Sequence, residues 1–233
     1  MKIILSLIFA SIVWISTAQP TDSNLSVAIA ELKDFIAIPN FGLDEKDINK
    51  NIGWLEAAFQ KRGMRYEVLP TEGNPLLLAQ KQVDKNLPTV LFYMHLDGQA
   101  VDSKRWNQAS PYEAVIKKEN TQGEWVEVQA TNKEAIDREW RIFGRSASDD
   151  KGPIVAFLQA MDRLENDGVK AQFNIKVILD AEEELGSKSL PAAVVKYRDK
   201  LTADVLIIND GPVHSSGQPT LTFGCRGITT INL

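Results

Sequence analysis

Four short stretches carry the side chains that could do chemistry: His95-Leu96-Asp97, Asp149-Asp150, Glu182-Glu183-Glu184 and Asp210. One imidazole and several carboxylates are ligand types that zinc accepts, and a carboxylate can bridge two ions about 3.5 to 4 Å apart. Each residue type also has an ordinary structural use. An Asp before a helix caps free N–H groups and suits the helix dipole, a Glu run opens a solvated helix, and a single His after a strand is unremarkable. Position favours chemistry, because each stretch is expected at the carboxyl end of a strand. The rival grouping, Glu183 with Asp97 as the paired carboxylates of a metal-free glycosidase, leaves His95 and Asp210 without purpose.

The elements that must hold these residues follow from apolar periodicity. The acidic pair lies in Gly144-Arg145-Ser146-Ala147-Ser148-Asp149-Asp150-Lys151-Gly152, after a strand end at Trp140 to Phe143. Behind it, Ile154, Phe157, Leu158, Met161 and Leu164 recur at helical spacing. Two helices are expected earlier, over residues 24–38 and from a cap at Asp44 or Asp47 to a stop at Gly63. Met64 to Leu69 and Leu76 to Gln80 read as strands, and Thr89 to Met94 as a strand buried on both faces. Residues 102–139 read as a long loop with a hairpin. A strand over Phe173 to Leu179, a helix over residues 188–201 and a buried strand over Val205 to Ile208 follow. Such alternation predicts an α/β fold, a mostly parallel sheet flanked by helices with ligands at the carboxyl ends of its strands.

Composition sets outer bounds. The chain has 233 residues, 44% hydrophobic and 24% charged, with a formal charge of -5. No basic run offsets that charge, which argues against nucleic acid. Cys225 stands alone, so no internal disulfide can form. Lys2, the apolar run Ile3 to Ile15 and the small residues Ser16-Thr17-Ala18 read as a signal peptide over residues 1–18. The expected product is secreted or periplasmic, with no membrane contact after signal removal. The domain reading places the catalytic part at residues 24–212. A strand-like run over residues 219–233 stops with no closing element, so the chain reads as the front part of a longer protein.

His95-Leu96-Asp97, the Gly144 to Gly152 stretch, Glu183-Glu184-Leu185-Gly186-Ser187 and Asp210 together resemble the co-catalytic zinc hydrolases. That family includes carnosine dipeptidase, glutamate carboxypeptidase, aminoacylase, acetylornithine deacetylase and succinyl-diaminopimelate desuccinylase. The likeness runs from about Leu25 to the last residue. It implies a zinc-peptidase-like fold and hydrolysis of an amide bond in a dipeptide or N-acyl amino acid. By the same resemblance Asp149 bridges two zinc ions, His95 and Asp210 complete one site, and Glu184 ligates the other. Glu183 is then the general base, and Asp97 holds the His95 imidazole in its ligating tautomer. Thr222 to Gly227 resembles the start of a smaller α+β lid and dimerisation domain, which implies a homodimer for the full-length relative. Asp150 is left with its capping role.

Departures from the family are also legible. Ser146 stands where the family has Gly. The family takes a second zinc-binding His from far downstream, whereas this sequence has only His95 and His214, and His214 matches no family ligand. The second zinc site therefore lacks its imidazole, and the chain alone is expected to hydrolyse weakly or not at all. A non-catalytic exported protein that keeps the fold and binds a metal or a peptide is the alternative.

Overall fold

A computed structural model describes residues 22–128, 136–137, 139–211, 214, 216–218 and 220–224. The signal-peptide reading and most of residues 219–233 lie outside that set. The elements run α1 (Asp22–Ile36), α2 (Glu45–Lys61), β1 (Arg65–Leu69), β2 (Leu76–Lys81), β3 (Thr89–His95), β4 (Val115–Glu119), β5 (Trp125–Glu127), β6 (Arg141–Phe143), α3 (Lys151–Asn166), β7 (Asn174–Asp180), α4 (Leu190–Lys196), α5 (Arg198–Leu201) and β8 (Val205–Ile208). Among the described residues no helix is long and apolar enough to cross a membrane.

Five strands form the main sheet in the order β1-β2-β7-β3-β8. The joins of β3 to β7 and β8 are parallel, while β1-β2 and β2-β7 are antiparallel, so the sheet is mixed. Strand alternation sends successive side chains to opposite faces. Leu77, Ala79, Met94, Val177 and Leu179 pack with α1, α2 and α3 on one face, whereas Leu76, Leu78 and Ile178 meet Ala193 and Leu201 of α4 and α5 on the other. Burial on both faces explains the apolar runs of β3 and β7.

Four local expectations meet the structure as follows. The strand end expected at Trp140 to Phe143 is β6, which pairs with β4 in a separate antiparallel sheet, β5-β4-β6, and β4 with β5 forms the hairpin expected within residues 102–139. The single helix expected over residues 188–201 is two, divided at Tyr197. Strand β8 is exposed along its length rather than buried, because it is the sheet edge. Residues 220–224, expected to begin another strand, have no regular structure.

Candidate metal centre

Strand register assembles the centre. His95 is the last residue of β3 and pairs with Asp180, the last of β7. Tyr93 pairs with Ile208, so Asp210, two residues beyond, is level with His95 at the next strand end. The result is a separation of 4.0 Å between His95 Nε2 and Asp210 Oδ2. Asp149 arrives from the loop between the small sheet and α3, and its Oδ1 lies 2.7 Å from the same Nε2. Ligand atoms of His95, Glu183 and Asp210 all lie within 4.8 Å of one another.

The remaining expected site residues are placed as follows. Glu183 and Glu184 lie in a single turn of 3-10 helix, Glu183–Leu185. Asp97 is buried and accepts from the backbone N–H groups of both, at 3.1 Å each. With both carboxylate oxygens so committed, Asp97 cannot be one of two carboxylates facing a glycoside, and that rival fails. Asp97 Oδ1 also lies 3.4 Å from His95 Nδ1. This contact is electrostatic, for Nδ1 has no hydrogen-bond partner among the described residues. Glu184 Oε2 accepts from Gln99 Nε2 at 2.9 Å instead of joining the His95 cluster. His214 is exposed and bonds Ser216.

Asp150 departs from its expected role. It occupies the N-cap of α3 but makes no side-chain cap bond. Its Oδ2 accepts instead from the backbone N–H of His95 at 3.1 Å, fully buried. The next two residues also build the platform. Lys151 Nζ donates to Phe35 O and Ile38 O at 2.7 and 2.6 Å, tying α1 to α3. A Cβ on Gly152 would meet Ala147 O at 2.1 Å, so only glycine lets the loop lie against the helix. Asp149 alone of this group keeps an exposed side chain, at 59%.

Sequence reasoning gave Glu182 and Asn74 no role. Glu182 accepts from Ser189 N at 2.6 Å and Asn74 N at 3.2 Å, while Asn74 Nδ2 donates to Gly42 O and Ala181 O. The first of three glutamates is thus a buried clamp, the second joins His95 and Asp210, and the third turns to Gln99. Nothing in a run of identical residues could signal this.

Electrostatics marks the centre as short of positive charge. Burial disfavours the imidazolium of His95, but Asp97, Asp150 and Asp149 outweigh it and push its pKa up to about 10. Burial lifts Asp150 to about 8 against the opposing pull of His95. Glu183 is also raised, by burial first and then by Asp210, Glu184 and Asp97. Several carboxylates crowded on one imidazole, with oxygen and nitrogen donors converging, are a donor set that fits a divalent cation such as zinc.

Residues 91–224 match the family model described as Peptidase family M20/M25/M40. The chain belongs to this family. All the expected metal ligands fall inside the matched residues. Mouse Beta-Ala-His dipeptidase is 32% identical over 155 residues, covering 66% of this chain and 27% of the mouse protein. A Cys-Gly metallodipeptidase of Schizosaccharomyces pombe is 26% identical over 216 residues, covering 91% of this chain and 39% of the yeast protein. The chain thus spans less than half the length of these relatives. Among solved structures, the M20 family metallo-carboxypeptidase Sso-CP2 of Sulfolobus solfataricus matches with a TM-score of 0.66 and 27% identity over 82% of this chain and 39% of its own. Human carnosine dipeptidase 1, at 24% identity and the same TM-score of 0.66, shares the fold. The expected α/β class is therefore the M20 catalytic fold.

Proposed function

We propose that this M20 chain carries metal-binding and proton-transfer residues of a zinc-dependent amidohydrolase acting on dipeptides or N-acyl amino acids. One observation supports it above the rest: His95, Glu183 and Asp210 converge within 4.8 Å, with Asp149 against the same imidazole. Relatives named as dipeptidases favour the dipeptide over the acylated amino acid. His95, Asp149 and Asp210 would hold one ion, and Asp149 with Glu184 would serve a second. Bound zinc supplies Lewis acidity, polarising the amide carbonyl and making water easier to deprotonate.

The proton path belongs to Glu183. Burial, ahead of the neighbouring carboxylates, raises its carboxyl pKa, the direction that suits a general base. It takes a proton from the attacking water and passes it to the departing amine as the C–N bond breaks. The water oxygen ends in the new carboxylate. Asp97 keeps Glu183 and Glu184 in place through their backbone N–H groups. Export, supported by Lys2 and the apolar run after it, and homodimerisation of the longer protein belong to the same proposal.

Zinc titration of the metal-free chain by calorimetry should show saturable binding, weakened at least about tenfold by His95→Ala or Asp210→Asn. Glu183→Gln should retain the metal and lower dipeptide turnover about 10²- to 10⁴-fold. Equal zinc uptake by the wild type and His95→Ala would overturn the reading. The described centre contains one imidazole, and this favours as second reading a metal-binding protein without turnover. Zinc binding with no hydrolysis of any dipeptide would support that alternative.

A further inference from the structure

Asn40, in the turn between α1 and α2, is fully buried and bonds to both ligand-bearing loops. Its Nδ2 donates to Leu96 O at 2.8 Å, the carbonyl between His95 and Asp97, and to Ser146 Oγ at 3.0 Å, three residues before Asp149. The backbone carbonyl of Asn40 accepts from Gly98 N at 2.8 Å. Ser146 Oγ in turn lies 3.4 Å from Asn40 Oδ1.

Ser146 has a φ of 62°, in the left-handed region that favours glycine. A side chain there is strained, and this one is buried. Its hydroxyl fills the space beside Gly98, where a Cβ would meet Ser146 Oγ at 2.5 Å and Asn40 Nδ2 at 2.9 Å. The three residues interlock: Gly98 must lack a side chain for the Asn40 amide to reach the hydroxyl.

We infer that Asn40 and Ser146 are positioning residues, a buried latch that fixes the His95-Asp97 loop relative to the Asp149 loop. The inference rests on the metal-centre reading. The serine hydroxyl supplies a tie between two ligand loops, and left-handed backbone strain is its cost. A hydrogen bond that orients ligands from behind changes metal affinity by about 10- to 100-fold when lost.

The test uses the full chain, zinc titration and thermal unfolding of the metal-free form. If the serine is only tolerated, Ser146→Gly relieves strain, raises the unfolding midpoint and leaves zinc affinity as it was. If it is a latch, Ser146→Gly keeps or raises the midpoint yet weakens zinc binding about tenfold. Ser146→Ala, which keeps the strain and loses the hydroxyl, should weaken it as much. In an Asn40→Ala background the Ser146→Gly change should cost little more, because the pair acts as one unit. Should Asn40→Ala fail to fold, the two Ser146 variants decide alone. Unchanged zinc affinity in Ser146→Gly overturns the latch and leaves the metal centre standing. Absence of zinc uptake by the wild type overturns both.

Discussion

Asp149 and Asp150 are identical neighbours with different tasks, divided by the direction in which each side chain leaves the chain. Asp149 reaches the open side of the His95 imidazole, and Asp150 turns inward to its backbone N–H. Burial and crowding give the metal-free centre a definite pH response. His95 rises from 6.5 to about 10 in the fold, so its stabilising contribution is complete below pH 6.5 and is lost as pH climbs through about 10. Asp150 rises from 3.8 to about 8. Its folded form also binds the proton more tightly than the unfolded chain does, so stability again falls as pH increases. In the presence of a chelator, the unfolding midpoint should therefore decline from pH 6 to pH 9.5. Zinc binds the neutral imidazole and must displace the His95 proton, so uptake near pH 7 should release a proton and affinity should strengthen with pH. Calorimetry in two buffers of different ionisation enthalpy measures the release, and an unchanged apparent enthalpy would contradict it.

Among the elements, helices α1, α2 and α3 are stitched by one side chain. Arg62, 3% exposed, pairs with Glu31 at 2.9 Å and Asp162 at 2.7 Å, and its Nη1 and Nε also donate to the carbonyls of Ala58 and Leu158. Arg62→Met leaves two partly buried carboxylates without their cation and should cost about 3 kcal/mol in urea unfolding. Because none of the ion pairs and hydrogen bonds of Arg62 among the described residues involves His95, Asp149, Glu183 or Asp210, zinc affinity of the folded variant should hold. These helices, with β3 and β7, were legible because long periodic or continuously apolar stretches leave few alternatives. The small sheet was obscure, since three-residue strands such as β5 and β6 carry too few side chains to show alternation. The α4/α5 division and the clamp made by Glu182 depend on long-range contacts that spacing does not encode. The order of the motifs pointed to the strand ends, where His95 and Asp210 do lie together, with Glu183 beside them. The inward turn of Asp150 was hidden, because a capping aspartate and a cross-linking one look alike in sequence.

At the scale of the whole molecule, the unresolved tension is the edge at β8. Val205 to Ile208 satisfies its backbone on one side by pairing with β3, and among the described residues no strand pairs with the other side. Leu206 and Ile208 are 58% and 62% exposed. Such a strand, apolar and free of charge, is a template for pairing with another chain. The segment is four residues long, too short to hold a partner by backbone bonds alone, so association should depend on its side chains. The 233-residue chain should therefore self-associate in a concentration-dependent way, seen as rising apparent mass in light scattering. Leu206→Lys with Ile208→Lys places two charges on one face of the edge without touching the centre. This pair should shift the population towards monomer while leaving zinc affinity and the far-ultraviolet spectrum unchanged. If the double variant associates as strongly as the parent, the sticky surface lies elsewhere, and the exposed Leu221 and Phe223 become the next residues to change.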